Sequence, residues 1–459
     1  MKKFTVKPRY TNQKVALIGA QQENESGWVY LGRLGEIGPL TDVHFDAHHP
    51  HVISIFGKRG SGKSYTMGSM LESLCTRENK TSISSIERNT AILLLDTLGI
   101  FQWTDIGLDE ASDSQVLRNQ REVWRNWNLE PESLDVRIWI PKGTRTDQTP
   151  YSHHEFAVRT ADFTSDDWGY LLGLDIYQDR MGQLLNDAYI KVTLEGWQSE
   201  SGHQSPKTLY SLSDLILCIK KDREIQSSYQ SETRRAVLQQ LTTYERNPLF
   251  EDGGTPLTEI LASGQMNVLV MNRMSIPLRL VILSAVIRRL LNERMEASEV
   301  EKHLQIRADI SDQERSRLKD FLEDAVPRTI VALDEAQNIL ASERRSSAGE
   351  MLIRYVREGR NYGLSFMVAT QQPTAIDNRI LAQVDTLIAH KLTVKNDIDY
   401  VRRNLKSNMA QEIVHGGRGL EFDELMRSLD VGQALVSNTE AERAIIVDIR
   451  PRVSVHGGF

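Results

Sequence analysis

At 459 residues, 40% hydrophobic and 25% charged, the chain can fill one large domain with insertions or two to three domains, with apolar surface enough for a core. A formal net charge of −7 excludes a broadly basic exterior, so any contact with nucleic acid has to be local, such as the lining of a channel. Two cysteines, Cys75 and Cys218, exclude a disulfide framework and a multi-cysteine zinc site, and both read as core fillers.

The N-terminal MKKFTVKPRY has no apolar segment behind its lysines, and no apolar run approaches the ~20 residues that span a bilayer. The expectation is a soluble, cytoplasmic protein without a signal peptide. Residues 1–48 then hold short β-like runs at Val15–Ile18 and Trp28–Leu31, set between Gly- and Asp-containing turns. His51–Phe56 is a compact apolar run ending at glycine, which predicts a buried strand, and a helix is predicted from Lys63 to Leu74. Ala91–Leu95, Val136–Ile140, Asn267–Met271, Thr329–Leu333, Leu364–Thr370 and Thr386–Leu392 repeat the pattern of short continuous apolar runs between helical stretches. Such runs predict an α/β fold with a mostly parallel sheet covered on both faces.

Between residues 142 and 326 the pattern changes: polar stretches at Gly143–Pro150, Ser199–Lys207 and Asp252–Pro256 separate helical segments such as Ile276–Leu291. Residues 288–325 alternate in charge, which fits a solvated helical face or a protruding helical subdomain. The chain therefore divides into a short N-terminal β region (1–48), the first part of a core (49–141), a mainly helical insertion with a returning core strand near 267–271 (142–326), and the second part of the core with the C-terminal tail (327–459).

The segment from Gly57 to Ser64 reads Gly-Lys-Arg-Gly-Ser-Gly-Lys-Ser, a full match to G-x-x-x-x-G-K-S, placed after a strand and at the start of a helix. Gly57, Gly60 and Gly62 let backbone N–H groups curl round an anion, with Arg59, Ser61 and Tyr65 in the same binding segment. Lys63 is expected on the β- and γ-phosphates, and the Ser64 hydroxyl on Mg²⁺. Thr329–Leu333 ends in Asp334 and Glu335, at the strand end where open α/β sheets place their ligands. Asp334 is expected to hold the metal shell, and Glu335 to act as general base on the attacking water; an acidic pair in isolation also begins turns and caps helices. ATP is the expected nucleotide, because no N-K-x-D stretch that reads guanine is present.

From Asp334 onward the sequence resembles a family. Asp-Glu-Ala-Gln-Asn (334–338) leads through a helix to Glu-Gly-Arg-Asn-Tyr-Gly (358–363), and the next strand ends in Thr370-Gln371-Gln372-Pro373. These motifs, with Asp96-Thr97-Leu98-Gly99 and the C-terminal Ile449-Arg450-Pro451-Arg452 and His456-Gly457-Gly458, are similar to the HerA branch of the HerA/FtsK ATPases over roughly residues 30–459. The resemblance implies a RecA-like P-loop core and a hexameric ring threading DNA through a central pore, often beside a nuclease or another effector in end resection or anti-phage defence. The abbreviated stretch before the phosphate loop departs from the family's complete N-terminal β-barrel. A nucleotide-gated scaffold that regulates a partner effector is the alternative reading.

Ring ATPases complete each site with a neighbour's arginine. The predicted helix Ala348–Arg360 buries Met351, Leu352, Tyr355 and Val356 as a stripe and carries Arg357 and Arg360 on another face. Arg360, which matches the family's R-x-Y-G arginine, is favoured for this role, the alternative being electrostatic capping of the helix. Gln371 is expected to orient water or to sense the γ-phosphate, and Asp96 stands as a weaker candidate. Arg450 and Arg452 read as surface charges on a terminal tail in preference to braces for the nucleotide or a neighbour. Lys142, Arg145, Arg344 and Arg345 are the charged positions near loops, with no DNA contact assigned.

Overall fold

The computed structural model describes residues 15–20, 27–35, 40–340, 347–407, 413–415, 418–441 and 444–458; Arg344 and Arg345 lie outside them. Thirteen strands form one path through the main sheet. In chain order they are β1 (Val15–Ile18), β2 (Trp28–Leu34), β3 (Asp42–Asp46), β4 (Val52–Phe56), β5 (Thr90–Asp96), β6 (Val136–Pro141) and β7 (His154–Phe156). They continue with β8 (Met266–Val270), β9 (Arg328–Leu333), β10 (Leu364–Thr370), β11 (Thr386–Ala389), β12 (Gln433–Asn438) and β13 (Ile445–Ile449). The spatial order is β1-β3-β2-β13-β12-β11-β4-β10-β9-β5-β8-β6-β7.

From β11 to β7 every neighbouring pair is parallel, which makes an eight-strand parallel block with β4 near one end. The C-terminal strands β12 and β13 then pair antiparallel, and β2 adds antiparallel to β13. The N-terminal strands are thereby the far margin of the same sheet. The fold is the α/β architecture with a mostly parallel sheet that the apolar runs predict.

The alternation of strand side chains explains why both faces are covered. Val52 and Phe56 of β4 and Leu93 and Leu95 of β5 join one core cluster, while Ile53, Ile55, Ile92 and Leu94 join the other. Helix α1 (Lys63–Ser73) closes the second face with Met67, Met70 and Leu71. Helices α2 (Ile276–Ile306) and α3 (Ser347–Glu358) cover the first, together with the helical insertion. Helix α2 runs 31 residues, well past the predicted end at Leu291, because its charged second half still buries Arg294, Ala297 and Ser298. The Arg294 guanidinium donates to the carbonyls of Val326 and Tyr362 and pairs with Glu301 at 3.1 Å, so a charge pattern that looks solvated holds a buried arginine. Helix Asp312–Glu323 buries no residue and is a solvated face throughout. The predicted loop at Ser199–Lys207 contains half of a short hairpin, Trp197–Ser199 with Gly202–Gln204.

The C-terminal segment corrects the reading of Arg450 and Arg452 as surface charges. Both side chains are fully buried, and both meet Glu72, itself fully buried on α1. Arg450 donates to Glu72 Oε1 at 2.7 Å, to the Tyr30 carbonyl at 2.9 Å and to Ser73 Oγ at 2.6 Å. Arg452 reaches Glu72 Oε2 at 3.4 Å and Thr104 Oγ1 at 3.0 Å. The backbone N–H groups of Val453 and Ser454 also donate to Glu72. A Cβ on Gly68 would stand 2.6 Å from the Arg452 guanidinium, so this helix position has to be glycine for the arginine to lie against α1. The last strand and tail are thus clamped to the helix that begins at the phosphate loop.

Removing one member of a buried ion cluster strands the others without compensation, at about 3–5 kcal/mol. Glu72→Ala is expected to lower unfolding stability by that order, read as a reduced urea midpoint with an unchanged denaturant slope.

Candidate active site

Strand β4 is wholly buried and delivers Gly57 into a tight loop. A Cβ on Gly57 would lie 2.4 Å from Ser61 Oγ and 2.8 Å from His390 Cβ, so only glycine fits there. Gly60 takes φ +75° and Gly62 takes φ +109°, in the left-handed region that glycine enters without strain. Ser61 Oγ donates to the Lys58 carbonyl at 2.7 Å, and Lys58 N donates to the Lys391 carbonyl at 3.0 Å. No side chain caps α1 at Gly62, which leaves its first-turn N–H groups free for an anion. Lys58 and Arg59 are exposed at the tip of the loop.

His390, directly after β11, supports this loop from below. Its ring bridges Thr66 Oγ1 and the Gln433 carbonyl, both at 2.8 Å. Full burial pushes its pKa down to about 4, with the Lys63 charge acting in the same direction, so it is a neutral strut. Sequence reasoning passed over it inside a predicted strand. Tyr65 is committed elsewhere: its hydroxyl accepts the Arg452 N–H at 2.8 Å and its ring meets His456 edge-on.

Strand β9 brings the acid pair to the same edge of the sheet. Lys63 is only 4% exposed; burial lowers its pKa, while the charges of Glu335 and Asp334 pull it back up. Asp334 is 1% exposed. Its Oδ1 accepts the Glu335 N–H at 2.9 Å, and its Oδ2 has no hydrogen-bond partner. Burial and then the Glu335 charge raise its pKa to about 6, against the Ser64 hydroxyl, the Glu335 N–H and Lys63. An orphaned, buried carboxylate oxygen beside a serine hydroxyl fits a hard cation such as Mg²⁺, which takes one or two protein oxygens and fills its shell with water and phosphate. Among the described residues no group of three or more His, Cys, Asp or Glu side chains could hold a metal by itself.

Glu335 sits at φ 52°, ψ 48°, a left-handed conformation that costs a non-glycine residue on the order of 1–3 kcal/mol. Two amides fix its carboxylate. Gln371 Nε2 donates to Oε1 at 2.7 Å and Gln337 Nε2 donates to Oε2 at 2.5 Å. Gln337 in turn accepts from Thr370 Oγ1 at 2.8 Å. A carboxylate has about four acceptor positions, so a water can still bind this one. Gln337 was visible in Asp-Glu-Ala-Gln-Asn, but its role depends on the 3₁₀ turn Ala336–Asn338 bending it back over Glu335. Asp96 is fully buried and accepts the N–H groups of Leu98, Gly99, Ile100 and Phe101, so it shapes the turn after β5. Burial raises its pKa in spite of those bonds.

Arg360 is not part of this assembly. It lies in the 3₁₀ turn Gly359–Tyr362 that precedes β10, at the N-terminal edge of the parallel strands. Lys63, Asp334, Glu335 and Gln371 stand at the C-terminal edge. Seven strand residues at ~3.3 Å each separate the two edges by roughly 20 Å. Arg360 is half exposed and its guanidinium stands 3.7 Å from Asp385 Oδ2. Asp385 also binds the buried His51 ring at 3.2 Å, and the other side of that ring meets Asp46 at 2.9 Å. Arg357 is exposed and pairs with Glu358.

A family model for the central domain of the helicase HerA matches residues 32–290, more than half of the chain. A DNA double-strand break repair helicase HerA of Sulfurisphaera tokodaii is 28% identical over 120 residues, 26% of this chain and 22% of that protein. The corresponding helicase of Pyrococcus furiosus is 21% identical over 274 residues, 58% of this chain and 45% of that protein. The chain thus spans less than half the length of these curated relatives. Among solved structures, VirB4 of Thermoanaerobacter pseudethanolicus has a similar fold, with a TM-score of 0.50 at 14% identity over 94% of this chain and 98% of that one. No helix among the described residues is long and apolar enough to cross a membrane.

His51 generates a pH test. Burial alone would push its pKa down, but the carboxylates of Asp385 and Asp46 outweigh it and carry the value up to about 9 from an ordinary 6.5. A folded-state pKa above the unfolded one stabilises fully below pH ~6.5 and loses that contribution as pH rises through about 9. The loss is on the order of 3 kcal/mol, at 1.36 kcal/mol per unit. His51→Gln is expected to remove this difference: urea midpoints of wild type and variant diverge at pH 6 and converge by pH 10.

Proposed function

From a chain that belongs to the family of the HerA helicase central domain, we propose an ATP-hydrolysing motor that runs on DNA as a ring, most simply a hexamer. The observation that carries this reading is the meeting of Lys63 and Ser64 with Asp334, whose Oδ2 is buried without a partner, and Glu335 at one edge of the sheet. The relatives named as DNA double-strand break repair helicases support DNA as the track; a nuclease or another effector as working partner is what the family resemblance implies.

In this reading the phosphate loop binds the triphosphate through its backbone N–H groups, and Lys63 neutralises the β- and γ-phosphates. Asp334 and Ser64 hold Mg²⁺, which when bound offsets the charge developing on the transferred phosphoryl group. Glu335, fixed by Gln371 and Gln337, orients the attacking water and takes its proton. The water attacks the γ-phosphorus as the bond to the β-phosphate oxygen breaks, giving ADP and phosphate. Arg360 sits at the opposite edge of its own sheet, half exposed and 3.7 Å from Asp385, a position that supports its serving the site of a neighbouring subunit. An active site is complete only where two subunits meet.

Mixing subunits tests this arrangement. Glu335→Gln keeps ATP binding and loses turnover, because an amide does not accept the proton. Arg360→Ala keeps binding and assembly and loses on the order of 10³-fold or more in rate, as removed arginine fingers do. Rings assembled from both variants are expected to regain ATPase activity at interfaces that pair an intact Glu335 with a neighbour's Arg360. Near wild-type turnover by Arg360→Ala alone contradicts the finger. Failure to recover in mixed rings, with subunit exchange verified by mass, contradicts its placement in trans.

A further inference from the structure

The helical insertion carries a basic groove far in sequence from both the phosphate loop and the acid pair. Helix Ser231–Glu245 forms one wall, and Lys220 and Gln226 from the two preceding helices contribute to the other. The groove is open and holds about 770 Å³. Arg234 and Arg235, Gln239, Thr242 and Arg246 recur along it at intervals of three to four residues, which keeps them on one side of the helix. From Ser231 to Arg246 the wall runs about 22 Å at 1.5 Å per residue.

Four cations line this groove and no carboxylate does. Lys220, Arg235 and Arg246 are exposed and, among the described residues, have no ion-pair partner. The acids nearby are turned to other uses: Glu245 accepts from Ser213 Oγ at 2.5 Å, and Glu224 binds Lys191 at 2.6 Å. Arg234 is fixed in advance, because its guanidinium donates to the carbonyls of Gln226 at 2.6 Å and Tyr229 at 2.7 Å. Like charges gathered without counter-charges are unfavourable in the free protein, the more notably in a chain of net charge −7. They call for an anionic ligand that supplies several charges in a row.

We propose that this groove binds the phosphate backbone of the DNA on which the motor runs, an assignment that rests on the DNA-motor reading above. The remainder of the lining decides between a nucleic acid and an acidic protein. Ser231, Gln226 and Gln239 add a hydroxyl and two amides, groups that donate to phosphate oxygens without reading sequence, while the Thr242 and Thr243 hydroxyls already donate to the carbonyls of Leu238 and Gln239. Leu238 and Ile219 are its only aliphatic members, too few for the apolar pocket that anchors a protein partner.

The test compares the full chain with its Lys220→Gln/Arg235→Gln/Arg246→Gln variant, by fluorescence anisotropy of a labelled duplex across a salt series. Each lost phosphate contact removes about 0.9 from the slope of log affinity against log salt. The variant is expected to bind at least about tenfold more weakly at low salt, with a slope shallower by about 2.7 for three contacts. Its basal ATPase rate without DNA is expected to stay unchanged. Equal affinity and slope in variant and wild type overturn the groove while leaving the DNA-motor reading intact. A wild type that binds no duplex at any salt overturns both. Polyglutamate bound as tightly as duplex by the wild type, and lost in the variant, overturns the groove in favour of an acidic protein partner.

Discussion

A parallel sheet has two unlike edges, and this molecule is built on that difference. Strands β4 and β9 both pair in parallel with β10, which lies between them, so their C-terminal ends emerge side by side although more than 270 residues of chain separate them. The phosphate loop and the acid pair meet for that reason alone. The same polarity sends the turn before β10 to the other edge, and Arg360 with it. The chain thus holds a phosphate cradle and the Glu335 carboxylate at one edge and, at the other, the half-exposed Arg360 guanidinium beside Asp385. In the proposed reading, contact between the unlike edges of two copies completes a site, and repeated head-to-tail contact closes a ring.

Three of the buried charge clusters bear on the phosphate loop and the two sheet edges, and their consequences differ. Glu72 with Arg450 and Arg452 forms a cluster with many hydrogen bonds, which fixes α1, the helix that begins at the end of the phosphate loop. At the other edge His51 stands between two carboxylates, one of which holds Arg360. The candidate active site is the least satisfied of the three: Asp334 keeps one oxygen without a partner, Glu335 adopts a strained backbone, and Lys63 loses hydration. In the proposed reading, a nucleotide that brings phosphates and a cation would relieve these deficits together.

Most of the scaffold was legible in the sequence, since fully buried strands such as VISIF and LSFMVAT advertise themselves as unbroken apolar runs. The phosphate loop was legible because its glycines and lysine have fixed spacing. Residues whose roles arise from tertiary contact were not. Arg450 and Arg452 follow a terminal strand, and nothing local distinguishes a buried arginine from a solvated one; the signal lies in a lone Glu72 within an otherwise neutral helix face. Gln337 and His390 become meaningful only once a turn and a neighbouring strand place them against Glu335 and the loop. The second half of α2 reads as solvated charge because the carbonyls that receive Arg294 come from distant segments.

The central claim is that unlike edges of two copies meet, and thiol cross-linking tests it most directly. Arg59 is exposed at the tip of the phosphate loop and Arg360 is half exposed at the opposite edge, while the native Cys75 and Cys218 are buried, which pushes both thiol pKa values up. A chain carrying Arg59→Cys and Arg360→Cys would be treated with a short bifunctional thiol reagent in the presence of a non-hydrolysable ATP analogue and Mg²⁺. The account predicts a ladder of covalently joined chains that ends at the size of the ring, absent when either substitution stands alone. Chains that remain unlinked, in a preparation whose assembly is verified by mass, would contradict it.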